Sequence, residues 1–324
     1  MITGSKDLDG NLINIITQYN IKRIKSYRDV FNCIKKIYFS NKVYFNSFFS
    51  FKNTIFFLFL SIFLNKKIIL APRGELYEEN LNIKKKIYLL VFSFFKKNIQ
   101  FHCTSVNEKN SIKKILKIKN KNLITIRNII GKDKIDMPIK KKTFKKFIYL
   151  SRIDKKKNLL GLCKTMSKFK KFDKKIIIDL YGHIYDNDYF LECKKYFFLL
   201  KKKNIFIDYK NHLDPEKVEK ILPKYIALIH PSFNENFGHV IIESLRSGVP
   251  VIASKNVFFN NLQKNNCGYN INFNDSKKLE EVILEYLIIS QKKLKKNQEN
   301  CINYYNKFLE EEGIISIKYQ NLLK

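Results

Sequence analysis

The chain has 324 residues, 45% hydrophobic and 14% aromatic, enough apolar material for packed cores, which excludes a largely disordered protein. The length exceeds one ordinary core, so two domains of roughly 100 to 200 residues each are expected. With 62 Lys and Arg against 29 Asp and Glu, a formal charge of +33, the surface attracts anions, but charge alone does not choose among anionic membranes, phosphorylated substrates and nucleic acid.

In chain order, the opening "MITGSKDLDGNLIN" suits a strand end and a loop, and nothing in it reads as a cleavable leader. Apolar runs bounded by turn residues follow. "KVYFN" (42–46), "KKIILA" (66–71), "IQFHCTS" (99–105) and "LITIRNI" (123–129) read as one set of buried strands, with helical patterns between them. "TIFFLFLSIFL" (54–64) falls short of the roughly 20 residues that a membrane span needs and reads as a buried helix. "KKKIYLLVFSFFKK" (84–97) suits either a core helix or a basic face on an anionic membrane, and its nearly continuous apolar part favours the core.

A polar, lysine-rich stretch near 131–146, "GKDKIDMPIKKKTFKK", reads as a hinge, and the rhythm then restarts. "FIYLS" (147–151), "KIIIDLYG" (175–182), "NIFIDY" (204–209), "YIALIHPS" (225–232) and "VPVIAS" (249–254) form a second set, and the chain reads as helical from about 275 onward. Strands alternating with helices imply right-handed β-α-β units and parallel sheets covered on both faces. The expected organisation is α/β: residues 1–135 as one Rossmann-like domain, 136–305 as a second, and 306–324 as a helix packing back on the first. There is no internal repeat of fixed period.

Six cysteines, at 33, 103, 163, 193, 267 and 301, form no C-x-x-C pair and read as free thiols in a reducing cytosol. Lysine supplies most of the positive charge, alongside many Ile, Asn and Phe, a mixture that AT-rich codons encode; part of it reads as drift over solvated faces. The six arginines say more, because arginine offers a planar fork of donors where lysine offers a point charge. Arg73, Arg152 and Arg246 fall in segments that look like sites on other grounds.

The densest of these segments is "HPSFNENFGHVIIESLRSGVPVIAS" (230–254). It reads as strand, loop and helix, with Pro231, Gly238, Gly248 and Pro250 fixing the backbone and Gly248 stopping the helix. In so basic a chain it carries two acids, Glu235 in the loop and Glu243 about one turn into the helix. A helix N-terminus beside Gly238 suits a phosphate, and carboxylates beside it suit hydroxyls, so a sugar nucleotide, with hydroxyl-rich ends and an anionic middle, fits both. Taken singly, Glu243 also reads as a solvated helix residue.

This stretch resembles the E-x7-E signature of retaining glycosyltransferases of family 4, the group 1 glycosyl transferases. Further resemblances follow in the family's order: "LAPRGEL" (70–76), "FHCTSVNEKNSIKK" (101–114), "IRNII" (126–130) and "FIYLSRIDKKKN" (147–158). Together they cover roughly residues 40–290. The resemblance implies the GT-B fold, two Rossmann-like domains facing across a cleft, here with a shortened N-terminal domain. Set against the family's pattern, the first domain is expected to be short of at least one β-α unit of roughly 30 residues, with its glycine-rich loop. "SFFS" (47–50) stands where many members carry a cleft histidine.

Carried onto this chain, the resemblance implies that Glu235 contacts the donor sugar and Glu243 the nucleotide ribose. Arg152 and Lys157 would bind the diphosphate, Phe237 and Gly238 would offer backbone amides, and Asn236 and Gly182 would line the donor site. Two cations in a cleft suit the growing negative charge of a leaving nucleoside diphosphate. Taken alone, Lys157 in "DKKKN" also reads as one of a solvated run. Arg73 and Gly74 would face the acceptor, Arg73 meeting a phosphate or acidic group or else pinning its own loop. "DND" (186–188) resembles a metal-binding D-x-D of another fold, but its place after a strand of the second domain argues against metal, and "KDLDG" (6–10) is weaker still. His102, His230 and His239 fall near strand ends, and none has a partner readable from sequence.

The expectation is therefore a cytoplasmic glycosyltransferase, peripheral on the inner face of the membrane, that needs no metal or other cofactor. It would move a sugar from a nucleotide donor to a surface glycan such as lipopolysaccharide, capsule or another polysaccharide, lipid-linked, with retention of configuration. The alternative is a non-catalytic or partner-dependent nucleotide-sugar-binding protein, which the absent glycine-rich unit motivates. Nucleic-acid binding would rest on charge alone, since no interleaved basic and aromatic motif stands out.

Overall fold

The computed structural model describes residues 27–323 apart from 51–53, 79–80, 97–98, 132–133, 136–144 and 236. The opening segment, with "KDLDG", and most of the expected hinge lie outside the described residues. The chain divides into two compact units, residues 1–132 with 311–324, and residues 133–310.

Unit 1 runs α1 (Tyr27–Phe39), β1 (Lys42–Phe45), α2 (Phe56–Phe63), β2 (Lys67–Leu70), α3 (Ile83–Phe92), β3 (Ile99–Cys103), α4 (Val106–Leu116) and β4 (Leu123–Thr125). The strands pair in parallel in the order β1-β2-β3-β4. Side chains alternate across a strand, so Ile68 and Leu70 join one core with Phe57, Phe92 and Phe101, while Ile69 turns to the other face. Helix α4 starts where a capping residue dictates: Ser105 Oγ accepts from Glu108 N, and the Glu108 carboxylate reaches back to Thr104 N.

Unit 2 runs β5 (Phe147–Leu150), α5 (Leu159–Met166), β6 (Ile176–Tyr181), α6 (Asn187–Lys201), β7 (Ile205–Tyr209), α7 (Pro215–Ile221), β8 (Ala227–His230), α8 (His239–Arg246), β9 (Val251–Ser254), β10 (Gly268–Ile271), α9 (Ser276–Ile288) and α10 (Gln291–Leu309). Its six strands are all parallel, in the order β10-β9-β8-β5-β6-β7. The chain moves outward one way from β5 and the other way from β8, so the boundary between these two strands is a topological switch point. The last helix, α11 (Glu312–Leu323), belongs to unit 1, where Ile315 and Leu322 pack with Ile69 and Ile126.

Two readings of the sequence need correction. Strand β10, "GYNI", was not expected. Its Asn270 is buried because the side chain accepts from Leu262 N and donates to Phe259 O, bonds that no hydrophobic pattern announces. The "KKKIYLLVFSFFKK" segment is not a core helix on all sides. Phe92 is the buried residue of α3, with Tyr88 and Leu89 partly buried beside it, whereas Ile83, Ile87, Leu90 and Val91 are exposed. A nearly continuous apolar run supplies two apolar faces, and the core of unit 1 takes one.

Helix α2 is buried along one side, through Phe57, Leu58 and Ser61. All six cysteines are free thiols. Among the described residues, no helix is long and apolar enough to cross a membrane.

Candidate active site

Ligands of doubly wound sheets gather outside the carboxyl ends of the strands at the switch point. Two loops begin there in unit 2, one after β5 and one after β8. Backbone and side-chain bonds stitch them together: Phe233 N donates to Lys156 O at 3.1 Å, and Asn158 Nδ2 donates to Pro231 O at 3.1 Å. The turn over residues 155–157 is set by Asp154, whose Oδ1 accepts from Lys157 N at 3.0 Å, and by the buried Tyr149, whose hydroxyl donates to Lys157 O at 3.1 Å.

Held in this way, Lys157 reaches across to the other loop. Its Nζ lies 2.5 Å from Glu235 Oε2, with the two side chains 12% and 19% exposed. His230, the buried last residue of β8, brings Nε2 to 3.3 Å from the same oxygen. Burial opposes ionisation of the Glu235 carboxyl, but the hydrogen bond with His230 and the Lys157 charge outweigh it and hold it well below the usual carboxylate range. Glu235 is thus an anion with two donors already in place.

Arg152 is half-exposed. Its guanidinium lies over the Tyr185 ring, 5.1 Å from the centroid, and Nη2 is 3.6 Å from Asp154 Oδ2. Asp154 therefore neighbours both predicted diphosphate cations, touching Arg152 with one oxygen and ordering Lys157 with the other. The Arg152 loop is zipped to the end of β6, Ser151 N donating to Tyr181 O at 3.0 Å and Ile153 N to His183 O at 2.8 Å. Gly182 permits this approach: at φ 153°, a Cβ there would stand 1.8 Å from Ser151 O.

After β8, Gly238 turns the chain into α8 with φ 76°, and a Cβ there would press on Ile241 and Glu235. Phe237 beside it is buried against the rings of Phe258, Phe259 and Phe308 and so anchors the loop. Glu243 rides half-buried on α8, just over one turn in. Arg246 on the same helix pairs with Glu219, its Nη1 2.5 Å from Oε2, tying α8 to the end of α7. Asn236 lies outside the described residues.

The glycosyl transferases group 1 family matches residues 132–308, which is more than half of the chain and includes every one of these groups. The chain belongs to this family. No curated protein matches the sequence. Among solved structures, Alr3699/HepE of Anabaena in complex with UDP and glucose is similar with a TM-score of 0.67 and 15% identity, over 91% of this chain and 80% of that one. A glycosyltransferase from Rickettsia africae ESF-5 has a TM-score of 0.66 and 17% identity, over 97% and 87%. WaaG, a glycosyltransferase involved in lipopolysaccharide biosynthesis, has a TM-score of 0.64 and 14% identity, over 90% and 81%. The architecture is GT-B.

In unit 1 of this glycosyltransferase, the "PRG" residues are already engaged. Arg73, in a left-handed conformation at φ 54°, donates from Nε to Asn46 Oδ1 at 2.5 Å, from Nη1 to Asn128 Oδ1 at 2.8 Å and from Nη2 to the Tyr44 hydroxyl at 3.0 Å. Gly74 N donates to Glu108 Oε1 at 2.6 Å. Of the two readings of Arg73, these bonds favour the one in which it pins its own loop.

The network runs on to a histidine whose partners the sequence did not reveal. Tyr44 donates its hydroxyl proton to His102 Nδ1 at 2.6 Å, and His102 Nε2–H donates to Ile126 O at 2.9 Å, which fixes a neutral tautomer. Burial and then the Arg73 charge lower the His102 pKa to about 3.

Asp186 of "DND" accepts from Tyr189 N at 2.9 Å and so caps α6. Among the described residues, no group of three or more His, Cys, Asp and Glu is arranged to hold a metal ion.

Proposed function

We propose that this glycosyltransferase is a retaining, metal-independent enzyme of family 4 that moves a sugar from a nucleotide donor to a lipid-linked surface glycan. The observation that carries the reading is the cluster of Lys157, Glu235 and His230 at the switch point, with Arg152 on the same loop as Lys157. It puts a cation suited to a phosphate beside an anion suited to sugar hydroxyls.

In this reading Arg152 and Lys157 bind the donor diphosphate. As the bond between the sugar's anomeric carbon and the phosphate oxygen breaks, charge grows on the leaving group, and the two preset cations stabilise it. The acceptor hydroxyl attacks from the face the diphosphate leaves. Its oxygen bonds to the anomeric carbon, and its proton passes to the departing phosphate, which retains configuration. Glu235 orients the sugar by accepting from its hydroxyls, Glu243 accepts from the ribose, and the helix N-terminus after Gly238 offers backbone N–H groups.

Asn236 joins the donor site, while Gly182 serves it by letting the Arg152 loop close. Arg73 and Gly74 shape the loop of unit 1 assigned to the acceptor. The UDP complex of the Anabaena neighbour supports a uridine nucleotide donor, and the role of WaaG supports a surface polysaccharide such as lipopolysaccharide. A lipid-linked acceptor suits a cytoplasmic enzyme peripheral on the inner face of the membrane.

The test is a thermal-shift screen against UDP, GDP, ADP and their sugar conjugates, with Arg152→Ala and Glu243→Ala alongside, followed by a transfer assay. A shift for one nucleotide that both variants abolish supports the donor assignment, and no shift for any overturns it. Donor binding with no transfer or hydrolysis would select the binding-only alternative.

A further inference from the structure

The outward side of α3 is apolar where a helix on a soluble surface is ordinarily polar. Ile83, Ile87, Leu90 and Val91 recur at helical spacing, and Phe94 continues the line one turn beyond. Ile83 is 77% exposed, Leu90 69% and Phe94 82%. The opposite side, Tyr88, Leu89 and Phe92, makes the core contact, so rotating the helix to bury the stripe would expose those residues instead.

The stripe also continues sideways onto α2. The Phe59 ring meets that of Phe95 at 5.5 Å, and Phe63 at the end of α2 is 86% exposed. Exposed apolar residues are normal when scattered, but an aligned and connected set marks a surface that something covers.

Charge around the stripe indicates what that is. Residues 83–96 contain three lysines at the start and one at the end and no acid, and α2 carries no charge at all. Lys84 and Lys86 are exposed beside the apolar line. A second copy of this chain would bring the same lysines and no acid from either helix. A bilayer with anionic headgroups offers what the face lacks: an apolar boundary for the side chains and negative charge for ammonium groups that extend sideways on flexible stems.

We propose that the α2 and α3 face of unit 1 docks on an anionic phospholipid bilayer, with the apolar stripe seated at the boundary between headgroups and acyl chains and Lys84 and Lys86 among the headgroups. The inference deepens the peripheral membrane placement proposed above by naming the surface that makes the contact, and it does not depend on which sugar the enzyme transfers.

The experiment is flotation of the whole chain with vesicles of mixed phosphatidylglycerol and phosphatidylcholine, or of phosphatidylcholine alone. Binding to the anionic vesicles is expected, weaker by about tenfold or more on neutral ones. The double variant Leu90→Glu with Phe94→Glu should lose about tenfold or more of the binding. Lys84→Ser and Lys86→Ser should cost about fivefold each, and added salt should mimic them. Leu191→Glu with Phe198→Glu, two exposed apolar residues of α6, should change nothing. All these sites are exposed, and thermal melts of the variants check that they still fold. The proposal is overturned if the chain does not float, if it floats equally with neutral vesicles, or if Leu90→Glu with Phe94→Glu leaves binding intact. It is also overturned if the chain dimerises without lipid and that double variant abolishes the dimer.

Discussion

Lys157 Nζ and Glu235 Oε2 are 2.5 Å apart although 78 residues separate them in the chain. They meet because β5 and β8 are neighbours in the sheet and each side chain sits in the loop that leaves its strand. Both are mostly buried, so removing Glu235 leaves the Lys157 charge without its partner, and removing Lys157 leaves the Glu235 charge with His230 alone. Lys157→Met and Glu235→Gln should each lower unfolding stability by about 2 kcal/mol, and the double variant should cost clearly less than the sum. Urea denaturation of the four proteins checks this; strict additivity would show that the pair does not interact.

The same carboxylate sets an acid limit. The folded pKa of Glu235 is depressed, so its stabilisation is complete above the unfolded value of about 4.3 and is lost as pH falls below it. His102 acts over a higher window. Its pKa of about 3 lies below the unfolded value of about 6.5, so the unfolded chain binds the extra proton in between and stability declines as pH drops from about 6.5 toward 3. His102→Gln should be less stable at neutral pH by about 1 to 3 kcal/mol, because Tyr44 and Ile126 lose well-placed partners. Between pH 6.5 and pH 4.5 its stability should change less than that of the parent. Denaturation midpoints across this range decide it, and parallel curves would refute the assignment.

Much of this arrangement was legible in the sequence. Runs such as "KIIIDLYG" announced buried parallel strands, and the glycines and prolines around "FNENFG" located the loop and helix that carry Glu235 and Glu243. Partnership was not legible. Lys157 looked like one of a solvated run, and only the pairing of β5 with β8 buries it against Glu235. Arg73 offered two readings, and the partners that favour loop pinning, Asn46, Asn128 and Tyr44, come from segments that its own motif does not announce. The α3 segment misled because a nearly continuous apolar run does not say which of its faces the fold has something to set against.

Gly182→Ala tests the closing of the Arg152 loop. The added Cβ would stand 1.8 Å from Ser151 O, and that atom is backbone with no room to swing aside. The end of β6 must then part from residues 151–153. A loss of about 2 kcal/mol or more in stability is expected, together with weaker binding of the nucleotide that shifts the parent protein. Calorimetry with and without that nucleotide separates the two effects, and unchanged binding would show that the zip does not position Arg152.

Glu312→Ala should loosen α11 from unit 1. The carboxylate accepts from Arg127 Nη1 at 2.5 Å and from Ile130 N at 3.2 Å, and the Arg127 side chain is 6% exposed. Without Glu312 the guanidinium keeps Glu311, 3.7 Å away and largely exposed, as a poor substitute. The expected cost is about 3 kcal/mol. Limited proteolysis should cut near residue 311 sooner than in the parent, and equal resistance would argue that Ile315 and Leu322 alone hold the helix.

Arg152 separates a role in binding from a role in folding. It is 52% exposed, its nearest acid is at 3.6 Å, and its stacking on Tyr185 is at the surface, so little of the fold depends on it. Arg152→Ala should move stability by no more than about 0.5 kcal/mol. If the guanidinium stabilises the leaving diphosphate, transfer should fall by about a hundredfold or more in kcat/KM. Arg152→Lys should recover only part of that loss, because a point charge does not replace a planar fork. Full activity in Arg152→Ala would remove it from the donor site and leave Lys157 as the cation to account for.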